Sequence, residues 1–338
     1  MEEIIPIVLF AYARPDHLKR ILDCLKENQV PLIYAFCDGA KSSNDDEWVE
    51  KTRKLLHQVD WCEIQITERE KNLGLGQSIL TGVTEILKNH DKIIVFEDDL
   101  ICVPGTYQYF CAALKYYQNN PKVMSITGWT HPIFKPESIT NSPYFDGRTE
   151  CISWGTWSRA WQGMEKDAMT LLHECKKKGI DIYRYGLDLP EMARMEKTKN
   201  IWAVRFTYLH FLNQGLCLRP PFSMIEHEGY DINATNAPVK PAFYNEILSF
   251  PIIPEKWPDA IENPECPILW RDFFGNYPYS KNYILNYILE HKYLWRGVKY
   301  FLLSLNKKFF DYFHKDVRDS IIIPDESNFL SYDESKKE

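Results

Sequence analysis

The chain has 338 residues, 45% of them hydrophobic and 14% aromatic, enough apolar material for one large α/β domain or two modest ones. That composition excludes a disordered chain and a small disulfide-stapled scaffold. The 40 Lys and Arg against 47 Asp and Glu leave a formal charge of −7, opposite to the basic balance of a general nucleic-acid binder, so no nucleic acid is expected as a partner.

Met1-Glu2-Glu3 opens into an apolar run interrupted by Pro6, too short and without the basic flank of a signal peptide, and predicts a buried first strand. Five apolar runs predict strands: Ile4 to Ala11, Leu32 to Cys37, Cys62 to Thr67, Lys92 to Phe96 and Val123 to Thr127. Between them, Leu18-Ile21-Leu22-Leu25, Trp48-Leu55-Leu56-Val59, Ile79-Leu80-Val83-Ile86-Leu87 and Tyr107-Phe110-Cys111-Leu114-Tyr117 recur at helical spacing. The alternation predicts βα units around a mostly parallel sheet, whose strand ends are where ligands bind.

From Gly128 the texture changes. Trp129, Trp154, Trp157 and Trp161 stand among Pro, Gly and Ser and predict an irregular, pocket-forming stretch. Trp202, Arg205-Phe206, Leu209 and Leu212 predict a helix from Asn200 to Asn213, with Arg205 as a charge on an apolar face. Residues 237–282 carry many prolines and aromatics with little periodicity and are expected to wrap the core as an extended segment. Tyr283 to Phe313 predict helix, with Lys292, Arg296, Lys299, Lys307 and Lys308 among the aromatics. That mixture suits a membrane-surface helix and equally a packing helix with a solvated basic face. No stretch reaches the roughly 18 uncharged apolar residues of a membrane span. Nine cysteines, none in a CxxC pair and several inside apolar runs, favour a reducing cytosol. The expected location is therefore cytoplasmic, at most peripheral on the inner face of the plasma membrane.

The sharpest chemical signal is Glu97-Asp98-Asp99, three acids closing the apolar run Ile93 to Phe96. Adjacent carboxylates repel, and a divalent cation such as Mg²⁺ or Mn²⁺ would neutralise them through the hard oxygens it prefers. The same tripeptide would also serve as a solvated turn favourable to a following helix dipole. At the second strand end, Asp38 is placed to accept a hydrogen bond from a base or ribose and Lys41 to meet a phosphate, although Asp38-Gly39 also reads as a plain turn. Arg14 closes the first strand as a phosphate or base contact. Asn72-Leu73-Gly74-Leu75-Gly76-Gln77 opens the third helix; its glycines allow backbone approach to a ligand and its helix N-terminus favours an anion. Trp129, Trp154 and Trp157 offer apolar faces for sugar stacking or for a core. His227, between Glu226 and Glu228, is either an imidazole donor or a loop histidine.

The order Arg14-Pro15, Cys37-Asp38-Gly39, Asn72-Leu73-Gly74-Leu75-Gly76, Glu97-Asp98-Asp99 resembles GT-A-fold glycosyltransferases. It is similar to bacterial family-2-like sugar transferases of surface-polysaccharide clusters and, more distantly, to the N-acetylglucosaminyltransferase I family. Ser153-Trp154-Gly155-Thr156-Trp157-Ser158-Arg159-Ala160-Trp161, then Trp202 to Phe206 leading to Gly215-Leu216-Cys217-Leu218-Arg219-Pro220, extend the resemblance. It implies a GT-A domain over 1–236, with a nucleotide-binding half at 1–127 and an acceptor half at 128–236; the resemblance does not reach the wrapping segment at 237–282 or the helical extension at 283–338, which are read from composition alone. It further implies Mn²⁺- or Mg²⁺-dependent transfer from a nucleoside-diphosphate sugar, UDP-linked, to a glycan or lipid-linked oligosaccharide hydroxyl, in polysaccharide or lipopolysaccharide synthesis. In that scheme Asp99 ligates the metal and His227 completes its shell. Glu97 and Asp98 contact ribose or metal waters, Asp38 reads the uracil, Arg14, Lys41, Asn72, Gly74 and Gln77 border the donor, and the three tryptophans meet the acceptor. The family's catalytic acid falls near Trp202-Ala203-Val204-Arg205, where this chain has no carboxylate. Asp188, Glu191 and Glu196, in the loop before, are the substitutes, with Glu191 taken as base beside Arg205. A retaining transfer would need no base. A sugar nucleotidyltransferase would want a glycine-rich loop after the first strand, and Phe10 to Asp16 has no glycine. A non-catalytic sugar-binding protein of the same fold is the other alternative.

Overall fold

The computed structural model describes residues 3–130, 132–229 and 248–275. All five apolar runs form strands: β1 (Ile7–Ala11), β2 (Leu32–Cys37), β3 (Glu63–Glu68), β4 (Lys92–Glu97) and, after the short β5 (Leu100–Cys102), β6 (Val123–Thr127). The intervening periodic stretches form α1 (Pro15–Glu27), α2 (Asp46–His57), α3 (Leu75–Ile86) and α4 (Thr106–Tyr116). Proline opens α1, where its missing N–H costs nothing. Each residue of β1 is buried because helices cover both sheet faces. Ile7 and Leu9 pack with α1 through Leu18, Ile21 and Leu25, while Val8 and Phe10 pack with α3 through Ile79 and Val83.

The second half adds β7 (Tyr144–Asp146), β8 (Trp154–Trp157), β9 (Leu216–Arg219) and β10 (Ile225–His227), with α5 (Ser158–Trp161), α6 (Ala168–Lys177), α7 (Asp188–Lys199), α8 (Ala203–Asn213) and α9 (Cys266–Phe274). One eight-stranded sheet runs β3-β2-β1-β4-β8-β6-β9-β7. Its first four strands are parallel; β8 lies antiparallel between β4 and β6, and β7 antiparallel to β9. This is the α/β architecture, a large mostly parallel sheet flanked by helices, that the sequence motifs predict.

Three expectations change. The tryptophan-rich stretch after Gly128 is not an irregular pocket wall, because Trp154 to Trp157 form a buried strand inside the sheet. The loop expected to carry Asp188, Glu191 and Glu196 is the helix α7, whose buried face includes Leu189, Ala193 and the charged Glu196, and that charge hides its periodicity. The described part of the wrapping segment includes α9, where Trp270 stacks on Phe134 with centroids 3.8 Å apart. No helix among the described residues is long and apolar enough to cross a membrane. The helical stretch expected from Tyr283 to Phe313 lies outside the described residues.

His210 ties α8 to the sheet. Its Nδ1 donates to the Phe206 carbonyl at 2.8 Å, which leaves Nε2 to accept from the Ser125 hydroxyl of β6 at 2.9 Å. Burial pushes its pKa down to about 3, so the unfolded chain takes up the proton first as pH falls. The stability carried by neutral His210 is present above about pH 6.5 and is lost as pH falls towards the folded value. Chemical denaturation between pH 7 and 4 should show a slope of up to about 1.4 kcal/mol per pH unit from this group, and His210→Gln should flatten it. An unchanged slope would contradict the assignment.

Candidate active site

Glu97 ends β4 opposite Phe10 of β1, so the acidic triplet stands at the carboxyl edge of the parallel strands. Each carboxylate has a different surrounding. The Asp98 Oδ2 accepts from the Tyr12 backbone N–H at 2.7 Å. The Asp99 Oδ2 accepts from the Arg14 guanidinium at 2.8 Å. Between Tyr12 and Arg14, Ala13 takes φ 49°, a left-handed conformation that is strained for a residue with a Cβ and is held here by its neighbours' contacts with the triplet.

β10 closes the site from the distant half of the chain. It pairs antiparallel with β5, His227 opposite Leu100, and sets His227 Nε2 3.5 Å from Asp99 Oδ2. The Glu228 N–H donates to the Asp99 carbonyl at 2.8 Å, and a Cβ on Gly229 would come 2.3 Å from Asp99 Oδ2, so only glycine lets this loop lie on the carboxylate. Asp99 Oδ1 is buried and has no hydrogen-bond partner among the described residues.

Electrostatics agree with crowding. Burial, then the charges of Asp99 and Asp98, push Glu97 well above the usual carboxylate range, with Arg14 pulling the other way. Burial and Asp99 push Asp98 up to about 7, against the Tyr12 N–H and Arg14. Both groups would gain from a nearby cation. Among the described residues no three His, Cys, Asp or Glu side chains converge as a metal cage. Asp99 and His227 do converge, and the open Oδ1 of Asp99 supplies a hard oxygen. Two protein donors suit a divalent cation that arrives with phosphate oxygens and keeps water. The donor set therefore fits Mg²⁺ or Mn²⁺.

The other residues singled out from sequence fall into two groups. Asp38, Asn72 and Gly74 do meet at the adjoining strand ends, but chiefly to hold one another. Asp38 Oδ1 accepts from Arg69 at 2.9 Å and Ser78 at 3.2 Å, and Oδ2 from the N–H groups of Leu73 and Gly74 at 3.0 and 3.1 Å. Four donors from its own chain thus meet the two oxygens of Asp38. Asn72 bridges the Gly39 carbonyl and the Gly74 N–H at 3.1 and 3.0 Å. A Cβ on Gly74 or Gly76 would strike Asn200, at 2.1 and 2.4 Å, so the close approach these glycines permit is made by the end of α7. Lys41 and Gln77 are exposed beside this loop.

The second group lies elsewhere. Trp154 stacks with Trp161 at 5.4 Å and 15°, and packs against Trp202 and Phe206. Trp157 is 2% exposed, and Trp129 is buried. These rings are packed inside the core and are not presented to an acceptor. Glu191 is exposed on α7 and pairs with Arg194 at 2.7 Å. Arg205 pairs with buried Glu196, which also accepts from the Ala168 N–H at the start of α6, making a clamp between α6, α7 and α8. Neither Glu191 nor Arg205 is drawn to the triplet. Sequence reasoning missed Tyr12, whose hydroxyl donates to Asp45 at 2.9 Å and accepts from the Lys41 N–H at 3.0 Å, and Gly229; both lie next to residues that were flagged.

No protein-family model matches the chain. Over 167 residues it is 21% identical to an Arabidopsis thaliana alpha-1,3-mannosyl-glycoprotein 2-beta-N-acetylglucosaminyltransferase, a match spanning 45% of this chain and 38% of the relative. This is distant similarity to a glycosyltransferase over less than half of either chain. Two solved structures are similar at 11% identity: a mannosyltransferase from Pyrobaculum calidifontis in complex with GDP-Man and Mn²⁺, with TM-score 0.33 over 46% of this chain and 44% of that one, and a putative glucose-1-phosphate thymidylyltransferase from Bacillus anthracis in complex with sucrose, with TM-score 0.30 over 48% and 75%. At those scores neither carries a functional argument.

The raised pKa of Asp98 has a sign that can be measured. Its folded value, about 7, lies above the ordinary carboxylate, so its contribution to stability is fully present below about pH 4 and lost as pH rises through 7. Without divalent cations, the melting temperature of the wild type should fall between pH 5 and 8. Asp98→Asn, which keeps an oxygen for the Tyr12 N–H, should make that fall shallower. An equal slope in both proteins would refute the crowding.

Proposed function

We propose that the chain is a GT-A-fold glycosyltransferase that moves a sugar from a nucleoside-diphosphate donor, UDP-linked, to a hydroxyl of a growing glycan with the help of Mn²⁺ or Mg²⁺. The observation that carries this reading is Asp99: a carboxylate at the end of a central parallel strand, flanked by Arg14 and His227, with its other oxygen buried and without a partner among the described residues. The distant similarity to an N-acetylglucosaminyltransferase supports the same class and favours an N-acetylhexosaminyl or hexosyl donor. A bacterial origin, a role in surface polysaccharide or lipopolysaccharide synthesis, a glycan or lipid-linked acceptor and a peripheral contact with the cytoplasmic membrane face belong to the same proposal.

Asp99 and His227 would hold the cation, which when bound neutralises the diphosphate and the charge that builds on it as it leaves. Arg14 brings a fixed guanidinium to the same place. Because Arg14 and His227 already share Oδ2 of Asp99, the second oxygen is the position open to the cation. Glu97 and Asp98 crowd the same strand end, and their raised pKa values mean that their ionised forms would be favoured by a cation held at Asp99. The nucleotidyltransferase alternative is disfavoured by the segment Phe10 to Asp16, which has no glycine for close approach to an attacking phosphate.

The test is donor turnover. The full chain is incubated with Mn²⁺ and a panel of UDP- and GDP-sugars, with nucleoside diphosphate release and the melting temperature followed together. UDP with Mn²⁺ at a hundred times its dissociation constant should stabilise the wild type by about 2.7 kcal/mol, and at least one UDP-sugar should release UDP. Asp99→Asn should lose the Mn²⁺-dependent part of both signals. No stabilisation of the wild type by any nucleotide at millimolar concentration would reject the reading.

A further inference from the structure

A transfer that inverts the sugar needs a base for the acceptor hydroxyl, and the acids of α7 expected for that role are spent elsewhere. Glu191 faces solvent with Arg194, Glu196 is clamped by Arg205, and Asp188 is gripped by both terminal nitrogens of Arg148 at 3.0 and 2.5 Å. The geometry points to Glu150 as the general base, an inference that rests on the transferase reading above.

The sheet register carries it. β8 runs antiparallel to β4 with Trp154 opposite Val95, so the residues just before Trp154 leave the sheet at the carboxyl end of β4. On their other flank the Gly128 N–H donates to the Ser153 carbonyl at 3.2 Å. Cys151 records the proximity, since the charges of Glu150 and Glu97 both raise its thiol pKa beyond the effect of burial. The chain is bent sharply there, with Ser153 at φ 46°, a left-handed turn in a non-glycine residue of the kind that clusters at functional sites.

Glu150 itself is held at one oxygen and open at the other. Oε1 accepts from the N–H groups of Cys151 and Ile152 at 2.9 and 3.4 Å. Oε2 makes no hydrogen bond among the described residues; its nearest charge is Arg219 Nη1 at 3.7 Å. Arg219 is already matched by Asp146 at 2.8 Å in full burial, so Glu150 is a surplus carboxylate on that network and not the arginine's main partner. Its side chain is 16% exposed, enough for a small group to reach Oε2. A fixed carboxylate with one free, accessible oxygen at the edge of the donor site is what deprotonation of a bound hydroxyl requires.

In the step, the acceptor oxygen forms a bond to the anomeric carbon of the donor while its proton passes to Oε2 of Glu150. The bond from that carbon to the diphosphate oxygen breaks, and its electron pair leaves on the nucleoside diphosphate. The sugar inverts, and Glu150 afterwards returns the proton to solvent.

The experiment uses the full chain, Mn²⁺ and the UDP-sugar that the wild type turns over fastest, with water as acceptor. It measures UDP release, the anomeric configuration of the freed sugar by NMR, and the melting-temperature rise with UDP and Mn²⁺. Glu150→Gln, which keeps Oε1 for the backbone, should lower kcat by about 10²- to 10⁴-fold with the donor KM and the nucleotide-induced melting shift unchanged; Glu150→Asp should fall between the two, and the product should be inverted. Wild-type rates in Glu150→Gln, a retained anomeric configuration, or loss of the melting shift in both variants would each overturn the assignment. A wild type that binds nucleotide but releases no UDP also overturns it, whereas a wild type that binds no nucleotide overturns the transferase reading beneath it.

Discussion

Like charges at adjacent positions on a buried strand end are expensive, and the arrangement around β4 answers the expense of Glu97, Asp98 and Asp99. The first loop is bent through a left-handed Ala13 so that the Tyr12 N–H reaches Asp98 and the Arg14 guanidinium reaches Asp99. The distant β10 is laid antiparallel on β5 so that His227 and Gly229 close on Asp99. Among the described residues Arg14 alone offsets the mutual repulsion of the three carboxyls, and burial with that repulsion raises the pKa values of Glu97 and Asp98. A fold that served stability alone would not gather three acids here. Under the proposed function, a divalent cation shared with a diphosphate would be the counter-charge, met by the hard oxygens of Asp99 and the imidazole of His227.

The rest of the architecture keeps this edge rigid. Asp38 accepts four hydrogen bonds that tie the β2 loop to the start of α3. Asn200, at the end of α7, packs against Gly74 and Gly76 and joins the second half of the chain to that loop. Insertion of β8 between β4 and β6 places four buried residues, two of them tryptophans, beside the strand that bears the triplet. The same insertion delivers Glu150 to the carboxyl edge. Arg219, Asp146 and Trp270, hydrogen-bonded in full burial, brace the segment on which Glu150 stands.

The first half was legible in the sequence because two periodicities alternate there without interference. Strands buried on both faces read as unbroken apolar runs, and α1 to α4 each present one apolar stripe. The triplet, Arg14 and His227 were legible as chemistry, although only the β5–β10 pairing brings residues 99 and 227 together. What escaped did so for identifiable reasons. A glycine states that something approaches the backbone but not what, and at Gly74 and Gly76 Asn200 makes such an approach. An Asp after a strand states that donors are near but not whose, and those around Asp38 belong to its own chain. Tryptophan serves a core as well as a sugar, so the buried Trp154 and Trp157 carry no mark of their place. α7 was missed because Glu196 sits on its buried face.

The central claim is that Asp99 holds a divalent cation together with a nucleoside diphosphate. A crystal of the full chain soaked with UDP and Mn²⁺ tests it directly through the manganese anomalous signal. The account predicts a peak bonded to Asp99 Oδ1, with diphosphate oxygens completing its shell and Arg14 beside them. A nucleotide bound away from Glu97–Asp99, or a diphosphate at the triplet with no metal peak, would contradict it.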